Sequence, residues 1–163
     1  MRVHKINTSV RVPLSIEEVF PFFYDVLNLQ RITPPELDFG ILTPLPIKIE
    51  LGTIVDYRMK LFGIPFKWRS VISTWEPPRR FVDEQVSGPY RVWKHIHNFY
   101  PDGDGTIVED DVSYRLPLWP LGEIAYPLVK AQLRRIFSYR QRRIIELLTV
   151  AHADKSSGQG GSI

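Results

Sequence analysis

The sequence contains no cysteine. That excludes a disulfide framework, a thiol nucleophile and a thiolate metal site, and it places no demand for an oxidising compartment. Long apolar runs are missing too. No stretch approaches the roughly 20 apolar residues that span a bilayer, and MRVHKINTSVRV at the start has no run of signal-peptide length. The expectation is a soluble, cytoplasmic protein. Excess charge of one sign is also scarce: 21 Lys and Arg against 18 Asp and Glu leave +3, too little to make nucleic acid the default partner. One local exception stands out. Lys130, Arg134, Arg135, Arg140, Arg142 and Arg143 follow one another without an intervening acid. Such a run is commonly a solvated helix face, and it also offers weak peripheral contact with an anionic membrane. No specific protein partner is expected.

What is present suits one folded domain. A length of 163 residues with 44% hydrophobic and 12% aromatic side chains can bury a sizeable core or enclose a cavity. The domain is expected over residues 1–150. The polar tail 151–163, ending KSSGQGGSI, has nothing to bury and reads as disordered.

Residues 2–12 alternate, with Ile6, Val10 and Val12 on one side, and predict a half-buried strand. Ser15 and Glu18 form a capping-box pattern that opens a short helix, which Pro21 is expected to kink or break. Asp25 can cap a second short helix ending at Thr33-Pro34-Pro35. Six strand candidates then follow at 37–42, 53–62, 65–75, 80–87, 90–100 and 106–116, separated by Gly, Pro and Asp turns. Close hairpins imply an antiparallel sheet. Beyond Leu116-Pro117-Leu118-Trp119-Pro120 a long amphipathic helix is predicted, starting between Leu121 and Pro127 and reaching about Thr149. Tyr126, Val129, Leu133, Ile136, Ile144 and Leu147 form its apolar stripe, and Arg140 falls in the middle of that stripe. The fold class is therefore α+β: a curved sheet of about seven strands around a long C-terminal helix, with two short helices after strand one. The space between sheet and helix is either packed or kept as a ligand cavity.

Strand phase indicates what faces that space. Val55, Tyr57, Met59 and Leu61 share an inward face, as do Phe66, Trp68, Ser70 and Ile72, and Val108, Asp110, Val112, Tyr114 and Leu116. In the stretch WKHIHNF, Trp93, His95, His97 and Phe99 compete with Val92, Ile96 and Tyr100 for the inner face. A four-residue loop over 101–104 pairs Tyr100 with Gly105 and sets His95 opposite Asp110, facing inward. A five-residue loop or a bulge turns the histidines outward. Gly103-Asp104-Gly105 reads as this hairpin's turn and not as a phosphate loop.

The element order resembles the START-like, or SRPBCC, superfamily. So does local wording: Glu18-Val19-Phe20, Asn28-Leu29, Trp75-Glu76-Pro77-Pro78 with Phe81 and Asp83, Gly88-Pro89-Tyr90 with Trp93, His95, His97 and Phe99, and Gly105-Thr106 with Asp110, Tyr114 and Leu116-Pro117. This is the helix-grip fold of lipid-transfer START domains, the birch-pollen allergen family and polyketide cyclase/dehydrase proteins. The resemblance implies an apolar cavity that binds a lipid-, polyketide- or isoprenoid-like molecule, for carriage or sensing, lined by Tyr57, Trp68, Trp93, Phe99 and Tyr114. His95, His97, Asp110 and Arg140 form a polar group within it. Arg140 either pairs with Asp110 or Asp83 or anchors a ligand. The alternative is a cyclase or dehydratase acting on a carbonyl compound, with His95 oriented by Asp110 and the Tyr114 hydroxyl nearby. Two histidines and a facing carboxylate are metal-ligand types, yet no further His or Cys spacing supports a site, so no metal or cofactor is expected.

Overall fold

The computed structural model describes residues 2–158. Strand β1 (His4–Val12) leads into helices α1 (Ile16–Tyr24) and α2 (Val26–Arg31). The strands β2 (Gly40–Ile41), β3 (Ile54–Leu61), β4 (Ile64–Glu76), β5 (Arg80–Ser87), β6 (Val92–Asp102) and β7 (Gly105–Arg115) come next, and helix α3 (Leu121–Gly158) follows them. All strands pair antiparallel in the order β1-β7-β6-β5-β4-β3-β2, so the first and last strands are neighbours. Between β4 and β5 the register shifts twice, at Arg69/Ser70 and Ile72/Thr74. Bulges of this kind bend a sheet, and α3 lies across the inner face.

Local chemistry explains the joints. Glu18 accepts from the Ser15 amide at 3.1 Å and the Ser15 hydroxyl at 2.8 Å, and Asp25 accepts from the Leu27 amide at 3.0 Å, fixing both short helices. At the start of α3, Gly122 passes so close to Pro117 that a Cβ would overlap its carbonyl oxygen. Glu123 accepts from His4 Nε2 at 2.9 Å, and the His4 ring stacks on Tyr126 at 3.9 Å, tying the helix to β1.

Several details differ from the sequence expectation. Pro21 does not break α1, which runs on to Tyr24; its missing amide removes one donor without ending so short a helix. The 37–42 strand shrinks to a 3-10 turn at Pro35–Leu37 and the two residues of β2. Helix α3 extends to Gly158 instead of ending near Thr149; residues 159–163 of the expected tail lie outside the described residues. The β6–β7 connection has two residues, not four: Asp102 pairs with Gly105, and Gly103 at φ 61° takes the first central position of the turn. His97, rather than His95, thus sits opposite Asp110. Because the shift is even, both histidines stay on the inner face.

The apolar core divides in two. Trp68, Trp93, Val112, Tyr114, Leu133 and Phe137 belong to one cluster; Ile72, Phe81, Phe99, Val108, Ile144 and Leu148 belong to the other. Strands β4, β6 and β7 cross from one to the other through polar residues: Ser70 between Trp68 and Ile72, His95 and His97 between Trp93 and Phe99, Asp110 between Val108 and Val112. Arg140 does the same on α3, between Phe137 and Ile144. A polar belt thus runs across the strands.

Candidate functional site

The belt is built from the register of β4 to β7. Asp83 on β5 pairs with His95 on β6, and His97 pairs with Asp110 on β7. His95, His97 and Asp110 are 5%, 3% and 3% exposed. His95 Nε2 donates to Asp110 Oδ1 at 2.8 Å, and His97 Nε2 donates to Asp83 Oδ2 at 3.1 Å. The remaining nitrogens face the opposite carboxylates. His95 Nδ1 is 3.6 Å from Asp83 Oδ2; His97 Nδ1 is 3.0 Å from Asp110 Oδ1 but too poorly aligned for a hydrogen bond. The two imidazoles stack at 3.8 Å, 35° apart, and His97 stacks on Phe81 at 4.1 Å. Each carboxylate thus spans both rings.

Arg140 approaches from α3, its Nε 3.7 Å from Asp110 Oδ2 and without a hydrogen-bond partner among the described residues. On the far side the Ser70 hydroxyl lies between Tyr57 and Asp83, at 3.2 Å and 3.5 Å. Two carboxylates and one guanidinium leave a net negative charge, which a single proton on the histidine pair neutralises. Burial works against charging either ring. On His97 the two carboxylates outweigh burial and raise its affinity for a proton; His95, beside a charged His97, is held below the ordinary imidazole range. Burial also opposes ionisation of the carboxylates, yet Arg140 and His95 hold Asp110 well below the usual range, and His97 and His95 hold Asp83 below it.

The belt forms the polar end of a cavity of about 180 Å³. Of the residues expected to line it, Tyr57, Trp68, Trp93, His95, His97 and Arg140 do so. Phe99, Asp110 and Tyr114 stand behind that wall: Phe99 packs on Phe20 and Phe23 at 5.1 and 5.0 Å, and Asp110 holds the histidines from below. Tyr114 is fully buried against Trp93, Tyr90 and His4, and its hydroxyl has no partner among the described residues. Asp83 and Phe137 are among the lining residues that the sequence-based site lacks. Phase is the signal for Asp83, which lies two residues after the buried Phe81; Phe137 sits one turn before Arg140 on the stripe.

Asp83, His95 and His97 are of metal-ligand type, and one ligand atom from each lies within 4.8 Å of the others. The basic run divides among separate tasks: Arg140 turns inward, Arg135 pairs with Glu36 at 2.7 Å, and Arg143 pairs with Glu146 at 2.6 Å.

No protein-family model matches the chain, and no curated protein matches it. Solved structures do. The Zhui aromatase/cyclase from Streptomyces sp. R1128 superposes with a TM-score of 0.74 at 15% identity, covering 91% of this chain and 94% of that one. The protein TTHA0849 from Thermus thermophilus gives 0.72 at 17% identity, covering 91% and 99%. A START superfamily protein from Mycobacterium smegmatis gives 0.66 at 16% identity, covering 88% and 99%.

Replacing Asp110 with Asn leaves two imidazoles and Arg140 facing an uncharged amide, and should cost about 3–5 kcal/mol in urea unfolding at pH 7. The depressed carboxylates of Asp83 and Asp110 contribute stability above the unfolded value near pH 4, and that contribution is lost as pH falls below it. Between about pH 4 and 2 the wild type should therefore lose stability more steeply than Asp110→Asn; equal slopes would count against ionised belt carboxylates. Topology, register and these superpositions agree that the chain has the START-like (SRPBCC) helix-grip fold.

Proposed function

We propose that the protein binds a compact hydrophobic molecule with a carbonyl or carboxylate end, for carriage or sensing. The supporting observation is one apolar cavity whose single polar end carries Arg140, His95, His97 and Asp83. Its size narrows the class. A cavity of about 150 Å³ admits benzene, so roughly 180 Å³ suits one or two rings rather than a long acyl chain. Arg140 would take the polar end, and Trp68, Trp93 and Phe137 would hold the rings. The START superfamily protein of like fold supports this reading. With 2-naphthoate as probe, calorimetry should give one site per chain. Arg140→Gln should weaken it about 10- to 100-fold, the loss of one charged hydrogen bond, while changing naphthalene binding little. Leu133→Trp, which fills the cavity, should abolish both; equal binding of 2-naphthoate by all three proteins would rule the cavity out.

A second reading is cyclase or dehydratase chemistry on a carbonyl compound. It is favoured by the hydrogen bond that fixes His95 Nε2 on Asp110 and leaves Nδ1, 3.6 Å from Asp83 Oδ2, as a lone pair on a residue that lines the cavity, as a general base requires. The aromatase/cyclase of like fold supports it. Tyr114 takes no part here, since it does not line the cavity. Hydrogen–deuterium exchange at C1 of 2-tetralone, followed by NMR, should exceed the buffer rate by about 10²-fold or more and fall to it in His95→Ala. Exchange unchanged by that substitution would exclude the role.

Contact with an anionic membrane is supported by one surface feature. Leu118, Trp119, Leu121, Ile124 and Leu128 are all more than half exposed at the start of α3, beside Lys130 and Arg134. Phosphatidylserine vesicles should sediment the protein at low salt, and Trp119→Ser should reduce this severalfold. Failure to sediment at low salt would remove the proposal.

A further inference from the structure

We infer that Asp83, His95 and His97 form a binding site for one divalent transition-metal ion of the zinc class, opening onto the cavity. The inference goes beyond the ligand reading, because it concerns what the belt holds before any organic molecule enters.

Three observations carry it. The first is the donor set. Two histidines at i and i+2 on one strand face, with a carboxylate on the neighbouring strand in register with the first, make a three-cornered site on the sheet surface. Asp83 Oδ2 lies 3.6 Å from His95 Nδ1 and 3.1 Å from His97 Nε2. Metal–nitrogen bonds of about 2.0–2.1 Å in tetrahedral geometry set neighbouring donors roughly 3.3 Å apart, so the two separations bracket the requirement. The three residues' ligand atoms lie within 4.8 Å of one another, so the rings must turn for both to reach one ion, and His97 Nε2, which donates to Asp83 in the metal-free belt, gives up its proton to solvent as the ion binds.

The second is the support behind each donor. Asp110 Oδ1 lies 2.8 Å from His95 Nε2 and 3.0 Å from His97 Nδ1, so one buried oxygen stands at the far nitrogen of both rings. On His95, where it accepts a hydrogen bond, this carboxylate fixes the tautomer and raises the basicity of a ligating imidazole; at His97 Nδ1 it stands close without the alignment of a hydrogen bond. The Ser70 hydroxyl stands 3.5 Å from Asp83 Oδ1, the carboxylate oxygen not facing the rings. Two of the three donors, His95 and Asp83, are thus hydrogen-bonded on their outer sides.

The third is charge and access. Asp83, Asp110 and Arg140 together leave the belt one negative charge, which a proton on the histidine pair neutralises in the metal-free site and a bound cation would neutralise in its place. All three donors line the cavity. Three protein ligands with the remaining positions open to a cavity is the pattern of sites that take a water or substrate as a further ligand. A carbonyl or carboxylate end entering along the aromatic wall would meet the ion on that open side.

The test uses the intact chain, stripped with EDTA and titrated with Co²⁺ and Zn²⁺. One Co²⁺ per chain is expected, with visible absorption typical of four- or five-coordination, displaced by one equivalent of Zn²⁺. Asp83→Asn and His97→Gln should each weaken binding about a hundredfold or more, and His152→Ala, which alters an exposed histidine, should not. Because a belt variant could unfold, the wild type also decides: in ¹H–¹⁵N correlation spectra of the imidazoles, Zn²⁺ should shift His95 Nδ1 and His97 Nε2. The absence of stoichiometric binding, or shifts confined to His4 and His152, would overturn the inference.

Discussion

Asp110 is the contact on which the rest of the site depends. Its carboxylate is buried under the sheet's inner face, accepts from His95, stands beside His97 and faces the guanidinium of Arg140. A carboxylate so placed is costly unless several partners hold it, and these come from two parts of the chain: β6 twice, α3 once. Satisfying it therefore fixes how α3 lies across the sheet as well as how the histidines point. Asp83 closes the same arrangement from β5, and Ser70 links it to Tyr57 on β3.

The position of this group between two apolar clusters explains why a cavity persists beside it. Apolar side chains on either side pack with one another, but the belt cannot be covered by them without desolvating charges that already sit at the limit of what the interior tolerates. Space remains where the aromatic wall of Trp68, Trp93 and Phe137 meets the belt. That space is dry along its walls and polar at one end, the combination that orients a small molecule with one polar group. The same features serve binding, proton transfer and metal chemistry, because all three require buried donors that are held from behind and exposed in front.

Much of the architecture is legible in the sequence. The alternation of β3, β4 and β7 predicts the inward residues of those strands, and the stripe on α3 places Arg140 on the buried side. The β6–β7 turn is harder, because Pro101 and Asp102 look like loop residues; cross-strand pairing carries them into the sheet, and Gly103 alone supplies the positive φ. The difference moves the pairing by two residues and so leaves the facing intact, since strand side chains repeat every second residue. Asp83 is less visible because β5 buries the neighbouring Val82 as well as Phe81, which obscures the alternation. Helix α3 runs past Thr149 because a helix already docked along its length continues with little added cost through residues of fair helix propensity. Strand phase makes Tyr114 a partner for His95, but a shared face does not fix distance: its ring lies toward His4, four positions along β7 from Asp110.

The central claim is that the belt is the polar end of a ligand cavity, and intermolecular NOEs in the complex with ¹³C-labelled 2-naphthoate test it most directly. The account predicts contacts from the ring protons to Trp68, Trp93 and Phe137, with the carboxylate end nearest Arg140. Contacts only to exposed residues such as Leu118 or Ile124, with the side chains of the cavity unmoved, would contradict it.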